Sequence, residues 1–180
     1  MKISELFGKS LPKGLAASDD IMNASIGTAP IRLGSIPDKK LIKPTLEFFE
    51  KQIVTSNVEN AIVITASNEV YHCSGDKNNI NSILELGDKL KGAYVTHNHP
   101  IGSDGDYSFS NKDINMFMSY GLQILRGIDE KFVYELNRNS VDIDEEFSVG
   151  KTDESSFRHN WVVKRAKNMG IGYRRWRRNE

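Results

Sequence analysis

Residues 91–100 read KGAYVTHNHP and contain the strand around which the predicted fold is arranged. Lys91–Thr96 alternates apolar and polar side chains in the way that is typical of a β-strand. Because residues two apart on a strand point the same way, His97 and His99 can direct both imidazoles at one point. Pro100 then ends the strand, since it has no N–H to donate to a neighbour.

A loop and a helix follow this strand. The residues before Ser110 show no periodicity, whereas Ser110–Tyr120 has helical spacing, and Asp113 lies in its first turn. If the strand end and the helix start meet across the loop, Asp113 can join the two histidines. Two imidazoles and one carboxylate leave a tetrahedral zinc one open position for water, as in catalytic rather than structural zinc sites.

Each part of this pattern also has a plainer interpretation. A lone His-x-His at a strand end is more often a surface or core feature than a metal site. The sequence Ser110-Asn-Lys-Asp113 matches a capping box, in which the serine and the acidic residue stabilise the start of a helix. Asp113 cannot fully serve the helix and a zinc ion at once, so both interpretations stay open here.

The flanking sequence alternates between helical and strand patterns. The predicted elements are a helix from Pro44 to about Ser56, strands at Ala61–Ile64 and Glu69–Cys73, a helix at Asn79–Leu90, strands at Leu122–Ile128 and Lys131–Leu136, and a helix at Ser155–Met169 ended by Gly170 and Gly172. Helices between mostly hairpin-connected strands predict an α/β or α+β sandwich, with a mixed sheet flanked by helices.

The chain divides into three segments by composition. Residues 1–41 are rich in Gly, Ser, Ala and Pro and are expected to form an arm or linker, with a short helix at Ile3–Phe7. Residues 42–150 form the predicted catalytic domain. Residues 151–180 form a C-terminal helix and a basic tail, which we expect to pack on the same domain.

The bulk composition excludes several classes of protein. Lys plus Arg and Asp plus Glu each total 24, so the net charge of zero favours no particular partner. Cys73 is the single cysteine, so a disulfide within the chain and a CxxC metal site are excluded. The N-terminus lacks an apolar signal region, and we expect a cytoplasmic protein that does not enter a membrane.

The combined motif resembles the JAMM motif of JAB/MPN-domain metalloproteases. His-x-His-Pro followed by Ser-x-x-Asp, formed by His97, His99, Ser110 and Asp113, is similar to that motif, and residues 42–137 are covered by the resemblance. The bacterial and phage JAB-like branches and the RadC-like proteins look closest. The resemblance implies a cytidine-deaminase-like sandwich and a Zn²⁺ cofactor held by the two histidines and the aspartate.

The family also requires a glutamate as general base and a serine that stabilises an oxyanion. Glu59 lies directly before the predicted strand Ala61–Ile64, where the family has its glutamate. The hairpin that begins there should pair near Thr96-His97, which brings Glu59 toward the predicted zinc water. An ordinary glutamate at a strand edge is the alternative, and Glu47 and Glu50 are weaker candidates. Ser110 is implied as the oxyanion donor.

The loop before the motif serine departs from the family pattern. Ten residues separate His99 from Ser110, where the usual motif has seven. Asp104 and Asp106 can contact a basic substrate group or form a simple acidic loop. Tyr107 and Phe109 can line the pocket or pack under the loop.

Two functions follow from the sequence. The first is a zinc-dependent peptidase or isopeptidase that acts on a peptide or protein conjugate. The second is a phage or mobile-element protein whose JAB fold serves assembly, binding or RadC-like DNA processing. It is motivated by the basic tail at residues 173–178, YRRWRR, because arginines interleaved with aromatic residues suit contact with nucleic acid. A docked or loose surface tail is the alternative.

Overall fold

The structure is a computed structural model that describes residues 29–103, 107–144 and 154–178. The predicted helix at Ile3–Phe7 and the acidic part of the loop, residues 104–106, lie outside these ranges. Among the described residues, no helix is long and apolar enough to cross a membrane.

The described residues form one mixed sheet of seven strands in the order β1-β3-β2-β4-β5-β6-β7. The strands are β1 (Ile31–Ser35), β2 (Asn60–Ile64), β3 (Glu69–Ser74), β4 (Tyr94–Asn98), β5 (Ile124–Ile128), β6 (Phe132–Asn137) and β7 (Gly172–Arg177). Only β4 and β5 pair in parallel within this sheet, and the other neighbours are antiparallel. The predicted α+β class with a mixed sheet is confirmed.

Three α-helices of the described chain match predicted ones: α1 (Ile42–Ile53), α2 (Asn111–Ser119) and α3 (Glu154–Met169). Their inward faces were predicted less well. The apolar spacing along α2 and α3 predicts that Met118 and Phe157 face the core, but they are 40% and 73% exposed. Their helical spacing placed them at the boundary of the apolar stripe, where the neighbouring elements decide which side chains are covered.

The prediction of a regular α-helix at Asn79–Leu90 is wrong about the type of helix. The structure has 3₁₀ turns over Asn81–Leu90, interrupted at Gly87, whose φ of 51° and ψ of −124° favour glycine. Ile83 and Leu90 are nevertheless buried in the core. The apolar spacing therefore predicted which residues are buried but not the kind of helix.

Helix α1 covers one face of the sheet, and the 3₁₀ turns, α2 and α3 cover the other. The core under α1 includes Leu33, Leu46, Phe49, Ile62, Ile64 and Val70. The core on the other face includes Val63, Val95, Leu90, Phe117, Leu125, Val162 and Tyr173. Each such side chain contributes about 1.5–3 kcal/mol when it is fully buried, so the alternation along the strands fixes which face each residue takes.

Part of the predicted N-terminal arm belongs to the sheet. Within residues 1–41, Ile31–Ser35 forms β1 and pairs with β3, and Leu33 and Ile36 are buried. The strand was missed because its ladder is irregular. The register shifts at Gly34, which has a φ of 136°, and this glycine reads as a turn residue in the sequence.

The basic C-terminal stretch is a strand and not a tail. Gly170, with a φ of 66°, ends α3 as predicted, but Gly172 is the first residue of β7 and does not stop the helix. Strand β7 pairs along its length with β6, and Tyr173 is fully buried. The C-terminal segment is therefore packed on the same domain.

Candidate metal centre

His97 and His99 lie at the end of β4, in the centre of the sheet. Ala61 of β2 lies opposite His97 on one side, and Gly127 of β5 lies opposite it on the other. The predicted pairing of the Glu59 hairpin with the histidine strand is thus confirmed. Both imidazoles point to the face covered by α2 and α3, and both residues are 2% exposed.

The structure brings the three predicted metal ligands together. The Nε2 atoms of His97 and His99 are 2.7 Å apart. His97 Nε2 lies 3.1 Å from Asp113 Oδ1, and His99 Nε2 lies 3.4 Å from Asp113 Oδ2. In a tetrahedral zinc site with bonds near 2.0 Å, ligand atoms lie about 3.3 Å apart. The two distances to Asp113 are close to that value and the distance between the histidines is shorter, and the three side chains can hold a metal ion.

The opposite ring nitrogens are held by groups on β5 and β6. His97 Nδ1 lies 2.9 Å from the carbonyl oxygen of Arg126. A carbonyl can only accept, so in the neutral ring Nδ1 bears the hydrogen and Nε2 directs its lone pair at the triad. His99 Nδ1 lies 2.6 Å from the hydroxyl of Tyr134. Such outer contacts orient histidine ligands in metal sites.

Asp113 serves both the helix cap and the triad. Its Oδ2 accepts hydrogen bonds from the Ser110 backbone N–H at 2.7 Å and from the Ser110 hydroxyl at 2.6 Å. Its Oδ1 is the oxygen that lies toward His97. Burial disfavours the charge, but the imidazoles outweigh it and hold the pKa of Asp113 well below its usual value. The predicted capping box is confirmed, and Oδ2 serves the cap while it also lies 3.4 Å from His99 Nε2.

Ser110 lies at the site but its hydroxyl is engaged. The oxygen donates to Asp113 Oδ2 and accepts the backbone N–H of Asp113 at 3.2 Å. The side chain also lines the cleft beside the triad. The geometry therefore shows Ser110 as a group that fixes the carboxylate of Asp113, and its oxyanion role stays a prediction.

Glu59 lines the same cleft as His97 and Asp113. Its backbone is fixed from both sides, because its N–H donates to the Asp76 carbonyl at 2.7 Å and its carbonyl accepts from Gly75 at 2.9 Å. Burial raises the pKa of Glu59 to about 7, although the positive charge of protonated imidazoles opposes the shift. Such a carboxyl group can both accept and return a proton near neutral pH.

Asn98 holds the chain on both sides of Glu59. Side-chain alternation along β4 points it away from the triad, and it is fully buried. Its Oδ1 accepts the Asn60 N–H at 2.7 Å, and its Nδ2 donates to the Val58 carbonyl at 3.0 Å. One side chain of β4 therefore fixes the position of Glu59 relative to the histidines.

No spacing in the sequence predicts the roles of Tyr134 and Gly127 at the site. Tyr134 reads as an ordinary inward residue of β6, yet its hydroxyl contacts His99. A Cβ atom at Gly127 would lie 2.1 Å from the Tyr134 ring. Only glycine therefore leaves the space in which Tyr134 reaches His99.

Two aromatic residues of the loop and a third histidine do not join the triad. Phe109 is fully buried and stacks on His97 with ring centroids 6.3 Å apart, so it packs under the loop. Tyr107 is half-buried and packs edge-on against Phe132, with ring centroids 6.5 Å apart. His72 contacts Asn60 Oδ1 through Nε2 at 2.9 Å, and burial lowers its pKa to about 4.

A cleft of about 670 Å³ opens beside the triad, and we call it the metal cleft. One wall is apolar, and the rim carries amide and basic side chains. The apolar wall is formed by Ile80, Ile83, Leu84 and Met116, and the rim by Asn78, Asn79, Asn111, Lys112 and Arg158. The Lys112 ammonium donates to Asn79 Oδ1 at 2.9 Å, which joins α2 to the loop before the 3₁₀ turns. The volume is in the usual range of ligand pockets.

No protein-family model, no curated protein and no solved structure matches this chain. The resemblance to JAB/MPN proteins therefore depends on the motif residues and their arrangement.

We expect the purified protein to bind about one zinc ion per chain, because the three ligand atoms are already close together. His97→Ala and Asp113→Ala should each lose the metal, as measured by inductively coupled plasma mass spectrometry. His72→Gln, which changes a buried histidine outside the triad, should keep it. A folded wild type that stays free of metal after zinc loading would contradict the site.

Tyr134→Phe should weaken zinc binding by about tenfold, since it removes the hydroxyl beside His99 Nδ1 and leaves the ring in place. Affinity can be measured by competition with a chelating dye. Tyr120→Phe, a half-buried tyrosine away from the triad, is the matched control. Equal zinc affinity in both variants would show that the Tyr134 hydroxyl does not position His99.

Glu59→Gln should make the metal-stripped protein more stable than wild type above pH 7, by about 2–3 kcal/mol. The folded pKa is raised, so the unfolded chain ionises first and wild-type stability falls as the pH rises from about 4.5 to about 7. The difference between the two proteins should vanish below about pH 4. Urea unfolding at several pH values measures this difference in the free energy of unfolding. For the control Glu85→Gln, at an exposed residue, the difference from wild type should not change with pH. If the stability difference between Glu59→Gln and wild type also stays constant with pH, the pKa of Glu59 is not raised.

Proposed function

We propose that this protein is a zinc-dependent hydrolase that cleaves an amide bond in a peptide or protein conjugate. The observation that supports this function best is the convergence of His97 Nε2, His99 Nε2 and the Asp113 carboxylate, with Glu59 in the same cleft. A metal site with two nitrogen ligands, one oxygen ligand and a nearby proton acceptor has the composition of a hydrolytic centre.

The ligand set limits which metals the site can bind, but it does not select zinc alone. Two histidines and one carboxylate also suit other divalent first-row metals, including the iron of some oxygenases. Glu59 favours hydrolysis, because a buried carboxyl group with a raised pKa is what general acid–base catalysis of water attack requires. Bound zinc would supply a Lewis acid that acidifies water and polarises the scissile carbonyl.

Glu59 and Ser110 would then each have a role in the reaction. Glu59 accepts a proton from water as the water oxygen bonds to the carbonyl carbon. When the C–N bond breaks, Glu59 returns that proton to the leaving nitrogen, so the products are a carboxylic acid and an amine. Ser110 would turn its hydroxyl from Asp113 toward the developing oxyanion, and one such donor is worth about 3 kcal/mol.

The family assignment is part of the same proposal. A strand ending in His97-x-His99, a helix starting at Ser110, and a glutamate before the neighbouring antiparallel strand are the arrangement that JAB/MPN proteins have. The inward histidines, the Asp113 cap and the position of Glu59 support this assignment. The apolar wall and amide rim of the metal cleft suit a peptide substrate.

Glu59→Gln should lower the cleavage rate by at least about 100-fold while the protein keeps its zinc, because it removes the proton acceptor and leaves the ligands intact. The assay would use a library of N-acetylated peptides and of peptides with an isopeptide-linked lysine, with new amino groups detected by mass spectrometry.

Glu47→Gln provides the control, because Glu47 lies on α1, outside the metal cleft, and was a rival candidate for the base. It should leave both zinc content and cleavage unchanged. If zinc binds but Glu59→Gln cleaves as fast as wild type, Glu59 is not the base. If the zinc-loaded wild type cleaves no member of the library, the proposed peptidase activity is wrong and a binding role for the domain is favoured.

A further inference from the structure

A second cleft lies on the other face of the sheet from the triad. It has a volume of about 480 Å³ and lies between the start of α1 and the part of β5, β6 and β7 that α1 does not cover. We call it the lysine cleft. Its charged and aromatic lining consists of Lys39, Lys40, Lys43, Glu47, Tyr94, Arg126, Glu135, Arg174 and Trp176.

The alternation of β7 determines which part of the basic segment reaches this cleft. Tyr173 and Arg175 are buried on the α3 face, with Arg175 donating to the Ser155 carbonyl at 2.9 Å. Arg174 and Trp176 point the other way and line the lysine cleft. The segment 173–178 therefore cannot act as a loose basic tail, and only its alternate residues are available to a ligand there.

The rim of the lysine cleft has an excess of positive charge. Arg174 pairs with Glu135 at 3.2 Å, and Lys43 pairs with Glu47 at 3.7 Å, but both cations keep exposed side chains. Lys39 and Lys40 are exposed as well. Within the part of the chain that the structure describes, neither of their ammonium groups is paired with a carboxylate. These lysines can therefore exchange counterions for the phosphates of a ligand.

Trp176 adds an aromatic surface beside these cations. The guanidinium carbons of Arg126 and Arg174 each lie 5.3 Å from its ring centroid, which orients the side chain. The residue is still 37% exposed. A partly exposed tryptophan next to basic side chains in a concave site is the arrangement that stacks on an unpaired base while cations contact the backbone.

We propose that the lysine cleft binds single-stranded nucleic acid, through phosphate contacts from Lys39, Lys40 and Arg174 and through base stacking on Trp176. A duplex would present its phosphates but keep its bases away from the tryptophan. A membrane surface would suit exposed protruding side chains better than a concave site. This inference is independent of the proposed hydrolase activity, because the cleft and the triad lie on opposite faces of the sheet.

Trp161→Phe leaves Trp176 as the single tryptophan of the chain, and its fluorescence then reports on the cleft. We expect a 12-nucleotide oligo(dT) to quench it at 50 mM salt. Lys39→Gln/Lys40→Gln in the same background should weaken binding by about tenfold and reduce the slope of log K against log salt by about 1.4, which is 0.7 for each lost phosphate contact. Lys51→Gln/Lys91→Gln removes two exposed charges outside the cleft and should change neither quantity.

Three further ligands test the chemistry of the proposal. Thymidine monophosphate should bind far more weakly than the oligonucleotide, and equal affinity would indicate a free-nucleotide site instead. A duplex of the same length should bind at least about tenfold more weakly. Equal binding of the duplex, or stronger binding to vesicles of phosphatidylserine and phosphatidylcholine, would overturn the proposal. Absence of quenching by oligo(dT), or an equal loss of affinity for oligo(dT) in both double variants, would also overturn it.

Discussion

The alternation of side chains along β4 is the constraint on which the candidate site depends. Strand β4 lies between β2 and β5, so its register is fixed on both sides. His97 points to the α2 face, whereas Thr96 and Asn98 point to the α1 face, where Thr96 donates to Glu50 and Asn98 bonds to Asn60. A slip of one residue would exchange these faces and leave buried polar groups without partners, which makes the register costly to change.

Arg126 connects the two faces of the sheet. Its carbonyl oxygen accepts from His97, while its guanidinium lies 3.1 Å from Glu50 and 3.8 Å from Glu135 on the opposite face. Burial raises the pKa of Glu50, and the charge of Arg126 opposes this shift. Ion pairs this deeply buried add little net stability, but the loss of one partner would leave an uncompensated charge. The cluster therefore fixes β5, and with it the carbonyl that orients the histidine.

The two clefts use the same sheet in different ways. The metal cleft is formed where β4 ends and α2 begins, so its residues come from strand ends and a helix cap. The lysine cleft is formed between the start of α1 and residues of β5, β6 and β7. Because their linings share no residue, substitutions can alter one cleft without altering the other, and the two proposed functions can be tested separately.

The sequence by itself determined the order of the five central strands and the three α-helices, the convergence of His97 and His99, and the cap formed by Ser110 and Asp113, because periodicity and capping are local. It also placed Glu59 before the strand that pairs with β4, since short hairpins leave few alternatives. The tertiary structure alone decided that residues 31–35 and 172–177 are edge strands, since their burial comes from distant partners. It also decided that Tyr134, which fits only over Gly127, contacts His99, because that contact joins two strands through side-chain volume rather than through any spacing in the chain.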